Sequence, residues 1–284
     1  MKLGVTIHAT DKAMPTADVA REAEARGFHS LYIPEHTHIP TSRQTPPPAG
    51  GDVLSEEYLR SPDPYVALAA AAAGTQTIRL GTGIGLPAQH HPITLAKTVA
   101  TLDQVSGGRF VFGIGYGWNR EEMAHHGVDY RTRRARVRET LLAMQALWSQ
   151  DEAEFHGEFV DFSPSWQWPK PRQQPRPVVL IGGGAGPKLF AHIAEYADGW
   201  MPIGGAGMKQ ALELLGRAME ERDRDPKALH IVPMGVFPDA GKLDYYRELG
   251  VTEAVLRLPS APREDVMPVL DEYARFLRDH PTQE

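Results

Sequence analysis

Apolar segments of strand length alternate with amphipathic segments of helix length along the whole chain. That alternation limits the fold more than any other feature. The apolar runs lie at residues 3–8, 29–34, 78–84, 109–115, 178–182, 199–202, 230–236 and 253–258. The amphipathic runs lie at 16–26, 64–74, 92–105, 131–150, 187–196, 208–222, 243–249 and 263–279. Strands that alternate with helices pair in parallel, because each helix carries the chain back to the end from which the next strand starts. Eight such units in 284 residues predict a single α/β domain, a closed (β/α)8 TIM barrel over residues 1–284. The alternative, a doubly wound sheet, places a glycine-rich phosphate loop after its first strand. The segment His-Ala-Thr-Asp-Lys-Ala-Met-Pro, which begins at His8, has no glycine.

In a barrel the ligand site lies where the strands end and the following loops begin. Glycines gather at three of those ends. The third strand closes on Gly83 and Gly85, the fourth on Gly113, Gly115 and Gly117, and the fifth on Ile-Gly-Gly-Gly-Ala-Gly-Pro from Ile181. Glycine lets a flat ligand or a phosphate approach the backbone. The run at Ile181 also opens a helix, whose free N–H groups suit an anion. The run Gly113–Asn119 gives G-x-G-x-G, a partial match to the dinucleotide fingerprint that lacks its spacing.

Two connections exceed a plain turn. Residues 36–63 are rich in proline and glycine and follow the second strand, so they are expected on the ligand face as a lid. Residues 151–177 contain a segment that alternates as a small hairpin around Gly157 and then an extended proline-rich stretch.

Composition removes several function classes. The net charge of -6 argues against a nucleic-acid partner. The absence of cysteine excludes disulfides, thiolate catalysis and cysteine-bound zinc. The first residues read as a strand rather than a signal peptide, and the alanine-rich stretch at 65–74 is too short to span a bilayer. A cytoplasmic protein without a membrane partner is expected, with a homodimer as the default assembly.

Glu35 and His36 follow the second strand, where an imidazole can move protons near neutral pH. His36 and His38 form an H-x-H, and His90-His91 and His125-His126 form two pairs. The later strands supply no matching ligands, so no metal is expected. The arginines between Tyr130 and Arg138 read as a solvated helix face with i,i+4 pairs. Trp118, Trp166 and Trp168 are candidates for an aromatic wall, and Trp200 for the core.

Taken together, these segments resemble the bacterial luciferase-like monooxygenase superfamily, and within it the oxidoreductases that use the deazaflavin coenzyme F420. The resemblance is carried by YIPEHTHIP at 32–40, the run at 80–122, FHGEFVDF at 155–162, RPVVLIGGG at 176–184 and AEYADGWMP at 194–202. Beyond residue 202 only the strand–helix rhythm corresponds. The resemblance implies a barrel that binds a flavin or deazaflavin at its C-terminal mouth. It implies a cis peptide at Gly83-Ile84, in a bulge that supports one face of the ring. His36 falls on the family's acid/base histidine, and Glu35 on an acidic ring contact. Gly115, Tyr116 and Asn119 fall on the fourth-strand contacts, and Gly183, Gly184 and Ala185 on the phosphate loop. Some sugar-phosphate dehydrogenases of the family carry glutamate where this chain has Tyr116, and a neutral phenol is a poor base.

The expected function is hydride transfer between F420 and a small organic substrate. Two alternatives remain open on the sequence. One is an FMN-dependent monooxygenase supplied with reduced flavin by a reductase partner. The other is a catalytically inactive flavin-binding barrel.

Overall fold

The computed structural model describes residues 1–48, 50, 51, 53–205 and 207–279. Its elements run β1 (Lys2–Thr6), α1 (Thr16–Ala25), β2 (Ser30–Ile33), α2 (Pro64–Ala73), β3 (Arg79–Thr82), α3 (Pro92–Val105), β4 (Phe110–Ile114), α4 (Arg120–His125) and α5 (Arg133–Ser149). They continue with β5 (Glu152–His156), β6 (Asp161–Trp166), β7 (Val178–Gly182), α6 (Pro187–Tyr196), β8 (Gly199–Met201), α7 (Met208–Glu220), β9 (His230–Ile231), α8 (Ala240–Glu248), β10 (Glu253–Arg257) and α9 (Arg263–Asp279). Eight strands pair in parallel in the order β10-β1-β2-β3-β4-β7-β8-β9. The ring closes between the segment after β9 and β10, through a Val236–Leu256 bridge and a 2.9 Å bond from Val236 N–H to the Val255 carbonyl. The fold is the expected (β/α)8 barrel.

Two expected elements change. The seventh strand was expected over 230–236, but regular pairing stops at Ile231. Pro233 has no N–H to donate and Gly235 turns to φ 68°, so the chain continues as single bridges. The fourth helix was expected over 131–150. It begins at Arg133, and the separate short helix α4 precedes it. β5 and β6 form the expected hairpin around Gly157, packed on α5. Glu139 of α5 holds its turn, accepting from the N–H groups of Glu158, Phe159 and Val160 at 3.1, 2.7 and 3.1 Å.

The arginine run is not a solvated face of i,i+4 pairs. Arg133, Arg134 and Arg136 lie over the rings of Tyr130, Tyr116 and Phe159 at 3.5, 4.5 and 5.1 Å. Arg138 pairs with Glu195 on α6. Aromatic faces attract guanidinium groups, and α5 is thereby tied to its neighbours.

Side chains alternate across each strand, so every second residue faces the barrel axis. Tyr32, Val111, Leu180, Met201, Val232, Met234 and Val255 form one buried cluster. A second, larger cluster lies between the sheet and the helices. Tyr32 fills its part of the barrel so fully that a Cβ on Gly81 would lie 2.5 Å from its ring. No helix among the described residues is long and apolar enough to cross a membrane.

At the lower end of the barrel Glu253 is 6 % exposed and bonded to the Ser30 hydroxyl. Burial raises its pKa above the ordinary carboxylate range, against the opposing pull of Ser30, Arg79 and Lys2. The folded protein therefore holds this proton at pH values where the unfolded chain has lost it. Stability is expected to fall as pH rises from the ordinary carboxylate pKa through the raised one. Glu253→Gln keeps an acceptor for Ser30 and removes the titration. Urea midpoints at pH 4.5 and 7 should therefore show a larger gain from the substitution at the higher pH.

Candidate active site at the mouth of the barrel

β3 and β4 reach the mouth as a pair, and glycines occupy alternate positions on both. Past Thr82 the chain bulges at Gly83, Ile84 and Gly85, and the Gly83-Ile84 peptide is cis. Hydrogen bonds hold the bulge from both sides. Gly83 N–H donates to Ile33 O at 2.8 Å and Glu35 N–H to Ile84 O at 3.1 Å. Gly85 N–H donates to Gly113 O at 2.8 Å, and Gly115 N–H to Gly85 O at 2.9 Å. The Thr82 hydroxyl also donates to Gly113 O, at 2.7 Å. The Ile84 side chain lies where Cβ atoms on Gly115 and Gly182 would be, 1.9 and 2.8 Å from its atoms. Gly115 and Gly182 therefore admit the Ile84 side chain, which forms a fixed apolar ledge at the top of the barrel.

Glu35 and His36 leave β2 in different directions. Glu35 is 2 % exposed. Its carboxylate accepts from Leu86 N–H at 2.6 Å and meets His90 Nε2 at 2.6 Å. Burial disfavours the charged form of His90, but the bond to Glu35 outweighs it and its pKa rises. Glu35 thus braces the chain that leaves the bulge.

His36 is 8 % exposed, and its Nδ1 lies 2.9 Å from Oε2 of Glu122 on α4. The Trp118 indole, which can only donate, reaches Nε2 at 3.4 Å. Nδ1 therefore carries the proton toward the carboxylate, and Nε2 presents its lone pair. The other Glu122 oxygen accepts from Thr37 N–H at 3.2 Å. Asn119 caps α4 by accepting from Glu122 N–H at 3.2 Å. Its own amide nitrogen is buried without a partner. Glu122 was not among the residues singled out in the sequence. The signal was the capping spacing Asn119-x-x-Glu122, which starts a helix beside the mouth.

Rings wall the space around His36. Tyr58, on a short 3-10 turn over Glu56–Arg60 in the long loop, lies 5.4 Å from His36, 4.8 Å from His8 and 6.0 Å from Trp118. Burial, and the nearby His36 and Arg257, lower the His8 pKa to about 4. Residues 49 and 52 of this loop lie outside the described residues. Trp166 and Trp168 stand exposed on the hairpin and beyond it, away from this wall. Tyr116 turns the other way. It is 7 % exposed, and its hydroxyl meets His192 Nδ1 at 2.7 Å and the Tyr196 hydroxyl at 3.3 Å, both on α6.

Gly183, Gly184 and Ala185 border a cavity of about 170 Å³ together with Gly204, Gly205 and Trp200. The Trp200 indole donates to Gly183 O at 2.9 Å, and the side chain is buried, as expected for core. The helices α6 and α7 both begin at this cavity, behind Gly186 and Gly207, and neither start is capped by a side chain. Two uncapped helix starts present N–H groups and the positive ends of two dipoles. A Cβ on Gly184 would meet nothing within 4 Å. This glycine cradle fits a phosphate, and the Ile84 ledge with the lone Asn119 amide fits a flat polar ring.

Among the described residues no group of three or more histidine, aspartate and glutamate side chains is arranged to hold a metal. His38 and His125 bond to each other at 2.9 Å, and His126 bonds to Thr37 at 2.7 Å.

A sequence model of the luciferase-like monooxygenase family matches residues 1–248. An uncharacterized protein of Mycobacterium tuberculosis is 43% identical over 280 residues, which cover 98% of this chain and 99% of that protein. An F420-dependent glucose-6-phosphate dehydrogenase of Kineococcus radiotolerans is 31% identical over 230 residues, covering 78% of this chain and 62% of that enzyme. The solved structure of a monooxygenase from Streptomyces bottropensis superposes with a TM-score of 0.78 at 23% identity, covering 99% of this chain and 100% of that one. That last likeness speaks for the fold alone.

Proposed function

The chain belongs to the luciferase-like monooxygenase family, and from that premise we propose that it is an F420-dependent oxidoreductase acting on a small organic substrate at the C-terminal mouth. The observation that carries this reading is His36, oriented by Glu122 and buried among rings beside the Ile84 ledge. The deazaflavin, when bound, supplies or accepts the hydride. The chain's own residues do the rest. Ile84 and the bulge support one face of the ring. Asn119 offers its unpartnered amide to the ring edge. Gly183, Gly184 and Ala185 with the starts of α6 and α7 hold the phosphate. His36 Nε2 takes or returns the proton that accompanies the hydride, and Glu122 stabilises the imidazolium that results. Tyr58 and Trp118 exclude water from this step.

The side chains around the mouth favour an uncharged substrate over a sugar phosphate. Three of the cations there are matched by carboxylates: Arg60 by Asp11, Lys12 by Glu56 and Arg257 by Glu57. Arg43 lies over Trp118 and donates to Thr45 O. Tyr116, with its hydroxyl engaged by α6, offers no second base. A single domain acting as a cytoplasmic homodimer completes the reading, and the large apolar side chains of Val66, Trp166 and Trp168 are left exposed.

Titration of the apo-protein with F420 and with oxidised and reduced FMN, followed by tryptophan fluorescence, tests the cofactor. Trp200 borders the phosphate cradle and Trp118 the ring wall, so both should respond. Saturation by F420 at micromolar or lower concentration, with weaker FMN binding, is the expected result. Preference for reduced FMN would instead support an oxygen-dependent monooxygenase with a reductase partner. Binding of neither would remove the assigned ring and phosphate sites.

A further inference from the structure

A second cavity, about 370 Å³, opens on the outer side of the bulge loop, between the start of α3, α5 and the β5–β6 hairpin. It is separate from the glycine cradle and shares no lining residue with it. Its walls are rich in nitrogen. Gln89 is 9 % exposed, and neither its amide oxygen nor its amide nitrogen has a partner. Arg136 is held over Phe159 and has no ion pair among the described residues, and its buried Nε lacks an acceptor. His90, His91 and His126 add three imidazoles. The opposing carboxylate, Asp161, is already bonded to His156 at 2.7 Å.

A cavity walled by a guanidinium without an ion pair and by three imidazoles is complementary to carboxylates. A guanidinium binds a carboxylate through charge-assisted bonds, and a buried amide left unmatched costs free energy until a ligand or water satisfies it. The ring of Phe159 and the side chain of Ile93 complete the wall with apolar surface, which suits an organic body more than a bare inorganic ion. We propose that this cavity binds a small organic polycarboxylate. Two of its imidazoles lead back to the mouth. His90 bonds Glu35 and His126 bonds the Thr37 hydroxyl, so two wall residues of the cavity are bonded to the two chain neighbours of His36. A ligand there pulls on the segment that carries the acid/base group without entering the cofactor site.

The test is isothermal titration calorimetry of the cofactor-free protein with citrate as the probe and sulfate at matched ionic strength as the control. The expected result is saturable citrate binding that Arg136→Gln and Gln89→Leu each weaken about tenfold or more, with little binding of sulfate. The ring resonances of His90 and His126 should shift on saturation in the parent protein, and much less in Arg136→Gln. Absence of saturation overturns the proposal. So does binding that both substitutions leave unchanged, since the ligand would then sit elsewhere. Equal binding of sulfate reduces the cavity to a nonspecific cationic patch and also overturns it. Because no cofactor or substrate enters the experiment, its outcome is independent of the F420 reading.

Discussion

His36→Ala is expected to lower turnover by about 10² or more while leaving cofactor affinity nearly unchanged. Its proposed role is proton transfer. One ring nitrogen is committed to Glu122 at 2.9 Å. The other faces the indole of Trp118 over a long 3.4 Å contact, which a substrate hydroxyl can replace. The ledge at Ile84 and the glycine cradle use none of these bonds, so binding of the ring and phosphate should survive. Steady-state kinetics alongside the fluorescence titration separate the two effects, since loss confined to the chemical step lowers kcat without a parallel loss of binding. Glu122→Gln should act in the same direction but less strongly. The amide has one acceptor oxygen, so it keeps only one of the bonds from His36 and Thr37, and it loses the charge that stabilises the imidazolium. Full turnover in His36→Ala would remove the histidine from the proton step.

Gly113→Ala is expected to damage both stability and cofactor binding. A Cβ at this position would lie 2.1 Å from the backbone oxygen of Thr82. A backbone atom within a parallel ladder cannot swing aside as a side-chain tip can. The carbonyl of Gly113 also receives Gly85 N–H and the Thr82 hydroxyl, so any shift carries the bulge with it. Overpacking of this kind costs about 1–3 kcal/mol or more. Displacement of the Ile84 ledge should in addition weaken F420 binding by about tenfold or more, roughly 1.4 kcal/mol. Urea denaturation and cofactor titration of the same variant measure both losses. A variant with unchanged midpoint and unchanged affinity would show that the β3–β4 ends are not the platform.

The barrel was legible because its strands and helices each keep their own hydrophobic period, and those periods depend on local sequence alone. The glycine ends were legible for the same reason. The cis peptide at Gly83-Ile84 came from the family resemblance, and the structure has it. Glu122 was hidden because its partner is His36, 86 positions earlier, and only the closed barrel brings α4 beside the end of β2. Tyr58 was hidden for a like reason, as it sits in a proline-rich loop with no periodicity to place it. The arginines of α5 misled the reading because a charge run on a helix carries no sign of the rings beneath it. Tyr130, Tyr116 and Phe159 come from three different segments. The early stop of the seventh strand was legible in principle, since Pro233 stands inside the expected run.

The turn that carries Tyr58 reaches the barrel through side chains: Glu56 to Lys12, Glu57 to Arg257 and His8, Arg60 to Asp11, and Ser61 to His8. His36, the ledge and the cradle are built instead on strand ends and helix starts. Exchange of the turn would therefore reshape the opening and replace Tyr58 in the wall, while the bonds that hold His36, the ledge and the cradle stay in place. On the proposed function, the choice of substrate can change through this one replaceable piece.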